Sequence, residues 1–417
     1  MDKIKLQKLP IPILCMIASL LPTSDVLNFR LVCKIFYEVT LCREVLKQIK
    51  VKARNRSYKP FKKFLTESLS GGRFIHLDLF LATGATIANI LNLTPNVNNL
   101  IINIKDIKCF KSQKLDYLHA LVLVDKDLMY FDKIPESKYS KYFQPLSELS
   151  SVKDLSLKCQ GQSYKSNLIQ IIIKSLKNVR KIHLESLIVN NSAHFDEFKD
   201  FLSSCRTITS WSFFDVRLVK KGVRLPETVT NYECTKCIFS LIDKQHCSLQ
   251  RLKLASLVPY VDKIWKENSF RDLRYLELQN CFFYFNPLES CKKLHTLKLL
   301  RCHLPFYYLM KLSTNVKDNL KELTIQSHKD FKDEMLLEVL NSFKSLTRLT
   351  LINMNLLTPS FLTKIKLSKL KFIFIKDSLN FNTREFRDHI ETMKNELSFT
   401  VVLVNDSKNV KSSILKL

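Results

Sequence analysis

Residues 291–302 read CKKLHTLKLLRC, and the placement of their apolar residues decides the fold. Leu294, Leu297 and Leu299 stand at relative positions one, four and six, and Cys302 follows three residues later. The alternation Leu297-Lys298-Leu299 is the period of a half-buried strand, because successive strand side chains point to opposite faces. So short a strand buries little alone, and its meaning depends on whether the pattern recurs.

It recurs outward in both directions. Toward the C-terminus come Leu320, Leu323, Ile325; Leu346, Leu349, Leu351; and Leu370, Ile373, Ile375. Toward the N-terminus come Leu273, Leu276, Leu278; Leu249, Leu252, Leu254; a weaker Val229, Tyr232, Cys234; and Ile208, Trp211, Phe213. Earlier still are Val179, Ile182, Leu184; Val152, Leu155, Leu157; Leu118, Leu121, Leu123; and Val97, Leu100, Ile102. Ile75 with Leu77, and Phe399 with Val401 and Leu403, suggest degenerate copies at either end. Most gaps between first anchors lie between 20 and 29 residues, the period of leucine-rich repeats. Positions four and six then point inward from a short strand, a loop or helix returns the chain, and each unit buries its inner face only against its neighbours. The expected fold is α/β: one curved solenoid over residues 71–404, with parallel strands on the concave face. Apolar rhythms predict convex helices over 167–176, 194–202, 335–343 and 385–393.

The N-terminus has another character. Residues 8–39 read KLPIPILCMIASLLPTSDVLNFRLVCKIFYEV. Ile13, Leu14, Ile17, Leu20 and Leu21 follow one helical rhythm, and Leu27, Leu31 and Val32 continue it on a second helix. Pro10 and Pro12 bar a helix upstream, Pro22 and Thr23 interrupt the run, and Ser24 is a candidate N-cap for a helix starting near Asp25. Two short helices with too little chain for their own core are built to dock. These residues resemble the F-box: the Leu9-Pro10 opening, Ile13-Leu14, Leu20-Leu21-Pro22, Asp25-Val26-Leu27, Arg30-Leu31-Val32-Cys33-Lys34, and the aromatic pair Phe36 and Tyr37. Pro12 replaces the usual acidic residue, and Phe36 or Tyr37 replaces a late tryptophan. The resemblance implies binding to a Skp-family adaptor, and through it a cullin, by Leu9, Pro10, Ile13, Leu14, Ile17, Leu20, Leu21, Leu27, Leu31 and Val32. Cys291, Leu294, Leu297, Leu299 and Cys302 likewise resemble the cysteine-containing repeat of many F-box proteins, with Cys281 and Cys237 at the same late position. The organisation read from the chain is an F-box over 1–46, a basic helical linker over 47–70, the solenoid over 71–404 and a tail over 405–417.

Lys3, Lys5 and Lys8 before an apolar run also describe a secretory leader, and sequons at Asn55, Asn92, Asn190 and Asn405 would suit it. Two prolines interrupt that run, and a leader does not explain the second amphipathic segment. No apolar stretch is long enough to span a membrane, and 12 cysteines without cysteine-rich caps fit a cytoplasmic or nuclear protein. Cys234 and Cys237 form a lone C-x-x-C without a second pair, so neither metal nor cofactor is expected. No P-loop, zinc-hydrolase motif or nucleophile elbow is present, and the chain reads as non-catalytic.

Among 417 residues, 66 Lys plus Arg against 39 Asp plus Glu give a formal charge of +27. Such a field attracts anions: an acidic or phosphorylated protein segment, nucleic acid or an anionic membrane. Its densest stretch runs through Lys47, Lys50, Lys52, Arg54, Arg56, Lys59, Lys62 and Lys63, where stacking aromatics are limited to Tyr58, Phe61 and Phe64 and no recognised nucleic-acid module appears. An acidic or phosphorylated protein target is therefore favoured over nucleic acid. On the concave face, His183, Ser212, Glu233, Lys253, Glu277, Lys298, Thr324 and Thr350 alternate with buried anchors, and Phe214, Leu300 and Ile352 offer apolar contacts. The candidate target-binding cations are Arg251, Lys253, Arg274, Lys298, Lys321 and Arg348, converging on a bound acidic peptide. Residues 129–148, MYFDKIPESKYSKYFQPLSE, stretch one repeat and read as a surface excursion. The leading reading is a substrate receptor of an SCF-type ubiquitin ligase; the alternative is a non-degradative F-box scaffold in another protein or nucleic-acid assembly.

Overall fold

Prolines set the first two helices. In the computed structural model α1 spans Ile11–Leu20 with Pro10 as its N-cap and Pro12 in its first turn, where a missing N–H costs no hydrogen bond. Helix α2, Thr23–Arg30, starts after Pro22, so Pro22 rather than Ser24 takes the cap. A third helix, α3 at Lys34–Thr40, follows an extended Cys33 with φ −163°. Leu31 and Val32 therefore do not extend α2: they occupy the turn between α2 and α3. Leu14, Cys15 and Ala18 of α1 bury against Val26, Phe36 and Val39, with the Phe29 and Phe36 rings stacked at 4.0 Å.

The structure describes residues 6, 9–42, 45, 50–52, 75–111, 113, 115–125, 134–159, 166–189, 192–218, 225–237, 248–256, 270–282, 288, 291–303, 306–311, 314–327, 331–381, 399–404 and 414–415. The chain forms two units, 1–198 and 199–417.

In the first unit, β1 (Lys50–Lys52), β2 (Ile75–Asp78), β3 (Val97–Asn103), β4 (Ala120–Val124), β5 (Asp154–Lys158) and β6 (Lys181–Glu185) pair in that order, all parallel. Within the stretch read as a helical linker, Lys50-Val51-Lys52 is thus a strand, as its alternation permits; 53–74 lie outside the described residues. In the second unit, β7 (Ser210–Phe214), β8 (Asn231–Thr235), β9 (Arg251–Ala255), β10 (Tyr275–Gln279), β11 (Thr296–Leu300), β12 (Glu322–Gln326), β13 (Arg348–Ile352), β14 (Phe372–Lys376) and β15 (Thr400–Val404) repeat that parallel order. A short β16, Ile414–Leu415, within the stretch read as a tail, pairs antiparallel with β15. A short N-terminal helical region followed by an open, solenoid-like α/β arrangement of parallel strands is the fold.

Every anchor at positions one, four and six from Val97 to Ile375 is buried. At the far end Phe399 and Val401 are buried, whereas Leu403 is half-buried. Position eight reverses the chain out of the strand through the left-handed region. Ser186, Asp215, Lys236, Ser256, Asn280, Arg301, Ser327, Asn353 and Asp377 all have φ between 50° and 56°. The exposed N–H then bonds the next strand, as Arg301 does to the Gln326 carbonyl at 2.9 Å. Position nine turns inward: the thiols of Cys237, Cys281 and Cys302 donate to the carbonyls of Phe213, Leu254 and Leu278 one repeat earlier.

Helices at Ser166–Ser175, Ser192–Ser204 and Asp333–Asn341 match three of the expected convex segments, while 385–393 lies outside the described residues. The stretch read as a surface excursion is different. Its described part, 134–148, folds into helical turns at Glu136–Lys138, Tyr139–Phe143 and Gln144–Glu148 that bury Tyr139, Tyr142, Phe143 and Leu146. Those four residues lie at the i, i+3, i+4, i+7 spacing of one helical face, so this segment is core-forming.

Candidate protein-docking surfaces

Helix α1 is apolar on two faces. Leu14 and Ala18 point into the three-helix core, both 0% exposed. Ile13, Met16 and Leu20, spaced by three and four residues, form a second stripe on the outside, 43%, 67% and 84% exposed. Leu31 at 83% and Val32 at 61% are exposed in the turn after α2, and Ile11 and Ile35 are also exposed. A helix apolar all round normally lies in a core, so the outer stripe is unpartnered hydrophobic surface of the kind that marks a docking site.

Of the residues assigned to adaptor binding, Pro10, Ile13, Leu20, Leu31 and Val32 are exposed, and Leu9, Ile17 and Leu21 are half-buried. Leu14 is the correction: its side chain is inside and holds the helices together. Leu27 lies on α2, with its side chain outside the described residues. Sequence reading missed Met16, although its spacing from Ile13 and Leu20 carried the signal.

Position five of the second unit forms a ladder of alternating charge. Glu233, Lys253, Glu277 and Lys298 are neighbours across successive strands. Lys253 Nζ lies 2.8 Å from Glu233 and 3.6 Å from Glu277, which in turn lies 3.9 Å from Lys298. Burial works against the Lys253 charge, but Glu233 and Glu277 outweigh it and raise its ammonium above the usual lysine range. Tyr275 donates its hydroxyl to Glu277, and Arg251 stacks over the Tyr275 ring at 3.9 Å. Burial, and then that bond, push the Tyr275 hydroxyl above its ordinary value.

The six candidate cations therefore do not converge. Lys253 and Lys298 are engaged by the ladder, Arg348 pairs with Glu322 at 3.4 Å, and Arg251 lies on Tyr275. Arg274 and Lys321, by contrast, make no ion pair among the described residues. They flank His295 just ahead of their strands, where the His295 N–H bonds the Arg274 carbonyl and the Lys321 N–H bonds the His295 carbonyl, each at 2.8 Å. Burial, then Lys321 and Arg274, depress the imidazole below its usual value. In the first unit the pattern repeats: Lys158 pairs with Glu185 at 2.6 Å and Lys181 with Asp154 at 3.2 Å. The apolar positions Phe214, Leu300 and Ile352 are half-buried.

Among the described residues no helix is long and apolar enough to cross a membrane, and no three His, Cys, Asp or Glu side chains cluster as a metal site. No curated protein matches the chain. Among solved structures, a chain in the crystal structure of the Rad7 and Elc1 complex in yeast is similar with a TM-score of 0.46 at 14% identity, over 95% of this chain and 98% of that one. A chain of the TLR13–ssRNA13 complex is similar with a TM-score of 0.40 at 14% identity, over 81% of this chain and 44% of that one. The family model of the F-box domain matches residues 6–48, the stretch holding the three helices and their outer apolar stripe, and the N-terminal region is an F-box domain.

Proposed function

We propose that the protein is a substrate-recognition subunit of an SCF-type ubiquitin ligase, and that the repeats after the F-box are leucine-rich repeats. The F-box takes a Skp-family adaptor, through it a cullin, and the strand face takes the target protein. The observation that carries the reading is the exposed stripe Ile13, Met16 and Leu20 beside Leu31 and Val32, within the stretch that matches the F-box. Burying one such leucine is worth roughly 1.5 to 3 kcal/mol before association costs are subtracted. The protein is non-catalytic on this reading: holding a target beside a charged ubiquitin-conjugating enzyme raises the effective concentration of its lysines, and the transfer chemistry belongs to the partners. It acts in the cytoplasm or nucleus.

Arg274 and Lys321, which make no direct ion pair among the described residues, favour an acidic or phosphorylated segment as the element read on the target. The test is affinity capture of wild type beside Leu20→Asp/Leu31→Asp, with quantitation of adaptor and cullin. Loss of both from the variant alone supports the ligase reading. Adaptor capture without cullin supports the non-degradative scaffold, and no adaptor from folded wild type sinks the F-box assignment.

A further inference from the structure

Asn103, itself buried, accepts the Lys105 N–H at 3.1 Å and starts the 3-10 segment Ile104–Phe110. Tyr142 donates its hydroxyl to the Lys105 carbonyl from the facing helical turns, and the buried rings of Phe110, Tyr139 and Phe143 fill the space behind. Two segments of the first unit are thus joined, and beside them lies a half-open surface cavity of about 650 Å³. Lys108, Lys111, Lys138 and Lys141 line it, against a single carboxylate, Glu148. Lys108 Nζ lies 5.2 Å from the centre of the Tyr142 ring. Among the described residues none of the four lysines makes an ion pair. The strand-face cations of Lys253, Lys298 and Arg348 have carboxylate partners, whereas these remain available.

Four lysines around one half-open cavity, against one carboxylate, give it a positive potential, and an anion of matching charge relieves their mutual repulsion. The volume lies in the range of small-molecule sites and is too small for a folded partner. We propose that this cavity binds a compact anion carrying several phosphates, with the lysines as point-charge phosphate contacts and the Tyr142 ring as one wall. The site is independent of the F-box and of the strand face.

Calorimetric titration of the full chain with inorganic tripolyphosphate at fixed ionic strength tests it. Three proteins are compared: wild type, Lys108→Gln/Lys138→Gln, and the charge-matched Lys364→Gln/Lys369→Gln. The cavity variant should bind at least about tenfold more weakly, as expected for two lost charge-assisted contacts, while the charge-matched variant retains wild-type affinity. All six lysines are at the surface, so both variants should melt as wild type does. If the cavity variant does not, Lys111→Gln/Lys141→Gln replaces it and must show the same loss. Equal weakening in both variants, or no binding by wild type, overturns the proposal. Binding of a single-stranded oligonucleotide that tripolyphosphate does not displace overturns it in favour of a nucleic-acid contact.

Discussion

The thiol of Cys302 donates to the carbonyl of Leu278, 3.1 Å away and one repeat earlier. Cys302 is buried, and its hydrogen bond with Cys281, then burial, push its thiol far above the ordinary range. Cys302→Ala removes that bond and leaves a small void, which should cost about 1–2 kcal/mol in a denaturant melt. Cys302→Ser should cost less, because Ser378 already fills the same repeat position and bonds the Lys376 carbonyl at 3.3 Å. In the folded protein Cys302 should resist alkylation under conditions that label a free peptide thiol; rapid native-state labelling would contradict this.

Arg301 holds φ 54° at position eight, a place filled elsewhere mostly by Ser, Asp or Asn. A long side chain is strained there, whereas Asn tolerates the left-handed region through local hydrogen bonding and Gly has no Cβ to clash. Arg301→Gly or Arg301→Asn should raise unfolding stability by up to about 1 kcal/mol, and Arg301→Val should lower it. Equilibrium urea denaturation of the three variants checks the order.

Leu14 and Leu31 separate folding from docking. Leu14→Ala opens a cavity in the helical core and should destabilise the N-terminal helices by about 2–5 kcal/mol. Leu31→Ala removes an exposed side chain, so stability should stay within about 0.5 kcal/mol of wild type while adaptor capture falls. The two effects are read by limited proteolysis of the N-terminus and by pull-down. Equal adaptor capture by Leu31→Ala and wild type would remove Leu31 from the interface.

His295 sets a pH dependence whose direction is fixed. Its folded pKa lies below the ordinary 6.5, so between the two values the unfolded chain binds more protons. Stability therefore rises with pH across that window and falls as acid forces the imidazole to charge beside Lys321 and Arg274. An NMR titration should find a His295 midpoint below 6.5, and Lys321→Gln should move it upward. A midpoint unmoved by Lys321→Gln would remove Lys321 from the causes of the shift and leave burial and Arg274. An acidic or phosphorylated segment docked on Arg274 and Lys321 should also raise it.

The strand register was legible because apolar anchors at fixed spacing have one way to bury, and each anchor from Val97 to Ile375 is inside. The charge ladder was legible in principle too. Once the anchors are aligned, Glu233, Lys253, Glu277 and Lys298 fall in one column with alternating sign, and only their mutual pairing had to be recognised. Tyr139, Tyr142, Phe143 and Leu146 were harder: their helical spacing is short, preceded by Pro135 and interrupted by Pro145, and tyrosine is at home on surfaces as well as in cores. Turn α2–α3 failed for a local reason, since an apolar run through Leu31 and Val32 does not announce the extended Cys33 that ends it. Position eight carries its backbone signal in Asn280 and Asn353, which tolerate the left-handed region, but Lys236 and Arg301 break the column and hide it in their copies.

The paired ladder of Glu233, Lys253, Glu277 and Lys298 changes what the strand face demands of a visitor. Each charge already has a neighbour of opposite sign, so a bound segment exchanges one salt bridge for another and gains little net attraction. A segment with its charges one strand out of step meets a like charge at each point where it needed an opposite one. On the proposed reading, with the target on the strand face, the ladder is poor adhesive and a good lock: it rejects misaligned sequences more strongly than it rewards the aligned one.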